Sequence, residues 1–178
     1  MKRKIDYRTI SVVEIKISDI KKRDITLHKI FTNLNHGGKQ LSEQELRNGI
    51  YPCAFSREIN TLNKKNKRWR ELYGRIDNKC KDMELLYRFC TMKMFVEYDG
   101  KEFKVRDYKN SISLLIDRFA EMAFDFDGKE IERYRKQLER FINALDISKK
   151  YFKKIFLLEG LFVVWDKTEL GSLTFTDE

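Results

Sequence analysis

Residues that form disulfides or bind metal ions are scarce in this sequence. Its 178 residues include only three cysteines and two histidines. The number of cysteines is odd, and no two of Cys53, Cys80 and Cys90 have Cys-x-x-Cys spacing. Both observations argue against a disulfide framework. His28 and His36 have no cluster of further ligands beside them, so we expect no metal site.

The chain also has few residues that interrupt helices and strands, and it has no long apolar stretch. It contains one proline, no low-complexity tract and no internal repeat. No apolar run reaches the roughly 18–20 residues that a membrane-spanning helix needs, and the N-terminus lacks the pattern of a signal peptide. With 42% hydrophobic and 37% charged residues, the composition predicts a single globular domain in the cytoplasm.

Positive charge is in excess and is unevenly distributed. The net charge is +9, and residues 57–81 contain nine basic residues against three acidic ones. Residues 129–154 contain nine basic residues against four acidic ones. A polarised basic surface is typical of proteins that bind polyanions, nucleic acid first. A solvated lysine-rich face is the alternative interpretation.

The densest basic run is a candidate nucleic-acid site. The residues predicted to contact nucleic acid are Lys64, Lys65, Lys67, Arg68, Trp69 and Arg70. Trp69 could stack on a base, but its apolar spacing from Leu62 and Leu72 favours a role as the anchor of its helix.

Apolar residues recur mostly at helical spacing. This spacing predicts single helices over 55–73, 81–96 and 129–145, and alternation over 10–17 predicts a strand. In a helix predicted to start at Ser148, the inward residues are Tyr151, Phe152, Ile155 and Phe156. The sequence therefore predicts a mainly α (α+β) fold, a helical lobe of about six to seven helices with a short N-terminal strand or hairpin. In this single domain of residues 1–178, residues 1–52 form the strand and a Gly-Gly helix corner, and residues 53–178 form the helical lobe.

The Gly-Gly corner is a second candidate site. A helix is predicted to end at Gly37 and Gly38, and Ser42 with Glu45 has the capping-box pattern of a new helix. Backbone N–H groups before that helix could bind a phosphate. The candidate residues at this corner are Asn35, Gly37, Gly38, Arg47 and Asn48. Arg47 and Asn48 have no structural role that the sequence reveals, so they are the stronger functional candidates.

Residues 30–48 resemble a known family. The segment is similar to part of the N-terminal domain of GmrSD-type, modification-dependent restriction proteins, and weaker similarity extends over the helices up to Trp165. The matching residues are Phe31, Leu34, Asn35, Gly37, Gly38, Leu41, Ser42, Gln44, Glu45, Leu46, Arg47 and Asn48. The family's nucleotide-hydrolysing lobe carries a Gln-Arg pair and Asp-Gly-Gln-Gln-Arg, and neither occurs here. The resemblance therefore implies the C-terminal, helical portion of that domain only.

Missing catalytic motifs favour a non-catalytic protein that needs no cofactor. We expect it to bind nucleic acid or a nucleic-acid-bound nuclease complex, and not a membrane. One alternative is a free-standing inhibitor from a mobile element, of the anti-restriction or anti-CRISPR type. Another is a partial NTP-dependent restriction subunit, whose missing catalytic lobe is supplied by a partner chain.

Overall fold

Helices dominate the described part of the chain. The computed structural model describes residue 30, residues 40–146, residues 154–168 and residues 173–174. The helices are α1 (Glu43–Ile50), α2 (Ala54–Lys65), α3 (Lys67–Tyr73), α4 (Lys81–Phe95), α5 (Ile112–Ala123), α6 (Gly128–Ala144) and α7 (Ile155–Thr168). The strands are β1 (Val96–Tyr98), β2 (Phe103–Val105), β3 (Leu145–Asp146) and β4 (Leu173–Thr174). The predicted mainly α fold is confirmed.

Helix α1 begins at the predicted capping box. The backbone N–H of Glu45 donates to Ser42 Oγ at 3.1 Å, and the Ser42 N–H donates to Glu45 Oε2 at 2.6 Å. These two bonds satisfy backbone donors that an α-helix leaves without partners at its start. Ser42 Oγ also donates to the carbonyl of Lys79 at 2.6 Å, which attaches the start of α1 to the turn before α4.

The single helix predicted over 55–73 is wrong. Asn66 leaves the helical conformation, with φ −72° and ψ 110°, and separates α2 from α3. Its side-chain oxygen accepts the N–H of Trp69 at 2.9 Å, so it acts as the N-cap of α3. Asparagine is a favoured N-cap because its short side chain can replace the missing helical acceptor. This signal was present in the sequence, but the unbroken basic run concealed it.

Helix α4 is the central element of the fold. It packs against α1, α2, α5, α6 and α7, and its buried apolar residues, among them Leu85, Leu86 and Phe89, lie on more than one face. A helix surrounded by others is apolar on most of its circumference. Leu86 and Phe89 are 0% exposed, and burial of each side chain stabilises the fold by roughly 1.5–3 kcal/mol.

Aromatic rings from several helices form the middle of the core. Phe55 of α2 makes edge-on contacts with Tyr87, Phe119 and Tyr134, at centroid distances of 5.7, 5.4 and 5.8 Å. Edge-on geometry directs the positive ring edge to a negative ring face and is favourable in cores. These contacts fix α2, α4, α5 and α6 around one centre.

The described hairpin lies between α4 and α5. β1 and β2 pair antiparallel, with Val96 opposite Val105 and Tyr98 opposite Phe103. Gly100 in the turn has φ +92°, a conformation that glycine adopts without strain. β3 and β4 form a two-residue parallel pair after α6. The N-terminal strand predicted over 10–17 lies outside the described residues.

Helix α7 buries a different face from the predicted one. Ile155 and Phe156 are 40% and 72% exposed, so the prediction that they face inward is wrong. Leu158, Phe162 and Trp165 are buried instead. These three share one face of a helix that is apolar on most of its circumference, and its sequence alone could not say which face meets α4. No helix in the described part of the chain is long and apolar enough to cross a membrane.

Candidate nucleic-acid interface

The lysines of the predicted basic run lie where α2 meets α3. Lys64 and Lys65 are in the last turn of α2, and Lys67 begins α3 after the break at Asn66. All three side chains are exposed. Within the described ranges, no carboxylate forms an ion pair with any of them. The helix junction therefore presents to solvent three ammonium groups that no described carboxylate neutralises.

Arg68 is held at the edge of these lysines. Its Nη2 donates to the carbonyl of Leu145, the C-cap of α6, at 2.7 Å, and its Nη1 lies 3.5 Å from Glu71 Oε2. A guanidinium near a helix C-terminus interacts favourably with the partial negative charge there. Because the side chain is 39% exposed, Arg68 combines a structural contact with access to solvent.

Trp69 and Arg70 belong to a buried polar network. Trp69 is 0% exposed, and its Nε1 donates to Asn63 Oδ1 at 2.7 Å. Arg70 donates to the same Asn63 oxygen at 2.8 Å and to Asp82 Oδ2 at 2.9 Å. Stacking of Trp69 on a base, the less favoured of the two interpretations, is wrong because the side chain is fully buried. Its alternative role as the anchor of its helix is confirmed.

Arg47 has a structural role, contrary to the prediction. It is 2% exposed, its Nε donates to Asp117 Oδ1 at 2.6 Å, and its Nη2 donates to Ser113 Oγ at 2.6 Å. Glu43 Oε2 lies 3.3 Å from Nη2, and Glu84 Oε2 lies 4.0 Å from Nη1. A buried guanidinium needs such partners to offset its desolvation. Arg47 therefore fastens α1 to α5.

The remaining corner residues give no assembled phosphate site. Asn48 Oδ1 accepts a hydrogen bond from Gln44 Nε2 at 3.0 Å, and Asn48 Nδ2 lies 3.5 Å from Met83 Sδ. Asn35, Gly37 and Gly38 lie outside the described residues, so their predicted contact with phosphate stays a prediction. The structure thus brings Arg47 and Asn48 onto α1 but directs both into contacts with the rest of the protein.

A second basic stripe lies on α6 and was missed as a site. Its exposed members are Lys129, Arg133, Lys136 and Arg140. They recur at intervals of four, three and four residues, which places them on one face of the helix. Lys136 Nζ lies 3.3 Å from Glu132 Oε1, whereas Arg133 and Arg140 lie over the rings of Tyr134 and Trp165. The helical spacing of the cations was the signal that could have revealed this stripe.

Carboxylates separate the α6 stripe from α2. Arg135 donates to Glu132 and Glu139, each at 2.7 Å, and lies 3.7 Å from Glu58 of α2. The hydrogen bond from Arg135, together with Lys136, lowers the pKa of Glu132 to about 2. The row between the two basic clusters therefore keeps its negative charges, and Arg135 offsets only part of them.

An apolar cleft lies beside the hairpin, and no residue of the predicted basic run lines it. Its volume is about 220 Å³, and it is lined by Met92, Val105, Tyr108, Ile112, Leu115 and Glu159. Glu159 accepts a hydrogen bond from Arg88 at 2.7 Å. Among the residues that the structure describes, no group of three or more histidine, cysteine, aspartate or glutamate side chains could hold a metal ion.

Comparison with known proteins gives no match, either to a family model, to a curated protein or to a solved structure. The resemblance of residues 30–48 to GmrSD-type restriction proteins therefore stays a prediction.

Proposed function

We propose that this chain is a non-catalytic, basic interaction protein of the cytoplasm that binds nucleic acid. The observation that carries the proposal is the exposure of Lys64, Lys65 and Lys67 without carboxylate partners among the described residues. Lysine side chains that no internal acid neutralises are free to replace the counterions of a phosphate backbone. Arg68, tethered to Leu145, supplies a fourth charge at a defined place.

The charge of the whole chain supports the same proposal. Its net charge of +9 raises the concentration of a polyanion near the surface and speeds the encounter. The sequence after β3 adds Lys149, Lys150, Lys153 and Lys154. Of these only Lys154 is described, and it is exposed.

The resemblance to restriction proteins suggests a setting in bacterial or phage defence. There the partner would be nucleic acid or a nucleic-acid-bound nuclease complex. The alternative of a restriction subunit completed by a partner chain has weaker support. In that case Arg47 would have to face the missing lobe, but its guanidinium is hydrogen-bonded to Asp117 and Ser113. An inhibitor that binds an acidic protein surface is an outcome of the experiment below.

Salt-dependent binding tests this proposal. Fluorescence anisotropy with labelled DNA and RNA is measured for the native chain and for the variant Lys64→Gln/Lys65→Gln/Lys67→Gln. Because each lost phosphate contact reduces the slope of log K against log salt by about 0.9, we expect the slope of the variant to be smaller by about 2.7. The control, Lys101→Gln/Lys104→Gln/Lys109→Gln, removes three exposed lysines of the hairpin region and should leave the slope unchanged.

Two results would overturn the proposal. One is the absence of binding to DNA and RNA at low salt, and the other is equal loss of affinity in both triple variants. If the native chain instead binds a purified nuclease but no nucleic acid, the inhibitor is the better description.

A further inference from the structure

The two basic clusters lie side by side on neighbouring helices. The lysine cluster consists of Lys64, Lys65 and Lys67, and the α6 stripe consists of Lys129, Arg133, Lys136 and Arg140. Helices α2 and α6 contact each other and both contact α4. The pair Glu58–Arg135, at 3.7 Å, joins α2 to α6, and the bond from Arg68 to the Leu145 carbonyl joins α3 to the end of α6.

Two rows of cations on packed helices suit two phosphate backbones better than one. Packed helices have axes about 8–10 Å apart, and the grooves of B-DNA are about 6–12 Å wide. The carboxylates of Glu58, Glu132 and Glu139 lie between the clusters, beside Arg135. These carboxylates would repel a phosphate placed over them. If a groove of the duplex lies over them instead, no phosphate is close to them. Along α6, Lys129 and Arg140 are about 16 Å apart, close to half a turn of duplex DNA, about 17 Å.

Base stacking has no platform on these helices. The exposed large hydrophobic residues lie outside α2, α3 and α6. Phe55, Trp69, Tyr134 and Phe141, which these helices do carry, are buried, and Tyr73 at the end of α3 is partly buried against the core, with Arg70 over its ring. Proteins that hold single strands combine a basic groove with exposed aromatic rings. Among the described residues, these helices expose cations and carboxylates but no large aromatic ring.

We propose that the lysine cluster and the α6 stripe together bind the two backbones of a nucleic-acid duplex, without reading its bases. This inference rests on the proposed function and names its ligand class. Contacts to phosphates fix orientation but carry no sequence information. Binding is therefore independent of sequence, is strongly salt-dependent, and is tighter for a duplex than for either of its strands.

The experiment compares duplexes with their separated strands over a salt series. The probes are two labelled duplexes of unrelated sequence, as DNA and as RNA, and each component strand. The native chain is compared with Lys129→Gln/Arg133→Gln/Arg140→Gln and with the hairpin control Lys101→Gln/Lys104→Gln/Lys109→Gln. Circular dichroism of each variant checks that it has kept its helices. All six altered side chains are exposed.

Lys136 is paired with Glu132 at 3.3 Å, so six phosphate contacts are expected, from the three lysines of the lysine cluster and from Lys129, Arg133 and Arg140. Six contacts give the native chain a loss of affinity of about 10³-fold between roughly 50 and 200 mM salt. Removal of the three contacts on α6 reduces this loss to about 40-fold. Both duplex sequences should bind alike, and each more tightly than its strands. Tighter binding of single strands, a preference between the two sequences, or an α6 variant that behaves like the native chain would overturn the inference and leave the proposed function standing. No binding to any probe at low salt would overturn both.

Discussion

Arg47 and Trp69 show how far a side chain's role depends on partners distant in sequence. Asp117, which accepts from Arg47, is 70 residues away. Asp82, which joins the network around Trp69 and Arg70, is 12 residues beyond Arg70. A polar residue on a short helix is a candidate for ligand binding only until its partners within the protein are known, because burial of a charge requires a counter-charge. Both residues therefore stabilise the fold.

Replacement of Arg47 by methionine should lower the free energy of unfolding by about 2–4 kcal/mol. The methionine fills much of the same volume, but the carboxylate of Asp117 loses its close partner at 2.6 Å. Urea denaturation followed by circular dichroism measures the loss. As a matched control on α1, Asn48→Ala removes one hydrogen bond to a side chain and one weak contact to sulfur, and should cost about 1 kcal/mol. Equal losses in the two variants would contradict the role assigned to Arg47.

Caps decide where the helices begin. Ser42, Asn66, Ser111 and Asp127 each accept a backbone N–H three residues ahead. Ser42 was predicted, because serine followed by an apolar helix is a strong local signal. Asn66 was missed, since the helical spacing of apolar residues continues across it. At this scale the sequence holds the information, but periodicity and capping must be weighed together.

The capping box of α1 predicts a pH dependence. The backbone N–H of Ser42, helped by Lys79, lowers the pKa of Glu45 below its ordinary value of 4.5. A carboxyl with a lowered pKa in the folded state stabilises the fold above its unfolded pKa, and this stabilisation is lost as pH falls through the folded pKa. The stability difference between the native chain and Glu45→Gln should therefore be largest near neutral pH and shrink below about pH 4.5.

Urea denaturation at several pH values between neutrality and the acid limit of folding measures this difference. Glu121→Gln, at an exposed position on α5, is the control and should show no such trend. A difference for Glu45→Gln that stays constant with pH would show that the carboxylate does not contribute through its charge.

The described helices pack around one hydrophobic core. Buried apolar residues from Ile50 to Trp165 form a single cluster, so α1 packs on the same core as the helices predicted to form the lobe. The basic residues lie around this core, in the lysine cluster and the α6 stripe. Folding thus brings two charge runs that are far apart in sequence onto neighbouring helices.

The three cysteines differ in how far the core buries them. Cys53 and Cys90 are 7% and 1% exposed, and burial raises the pKa of the Cys90 thiol. Cys80 is partly exposed, and burial together with the carboxylate of Glu45 raises its pKa as well. Because the thiolate is the reactive form, we expect one slowly reacting thiol in the native chain and two that react only after unfolding.

Reaction with Ellman's reagent, counted in the native chain and in urea, measures this difference. Cys80→Ser should remove the thiol that reacts without urea and leave the two protected ones. Rapid reaction of Cys53 or Cys90 without urea would contradict the burial of both in one cooperative core.

The sequence by itself determined the helical class, the cap at Ser42 and the excess of positive charge, because periodicity, capping and composition are local properties. The tertiary structure alone decided that α4 is central, that α7 turns Phe162 inward and Phe156 outward, and that Arg47 pairs with Asp117. It also placed the α6 stripe beside the lysine cluster. These features depend on which faces of different helices pack together. Contacts between residues far apart in sequence decide this, and no local sequence pattern encodes such contacts.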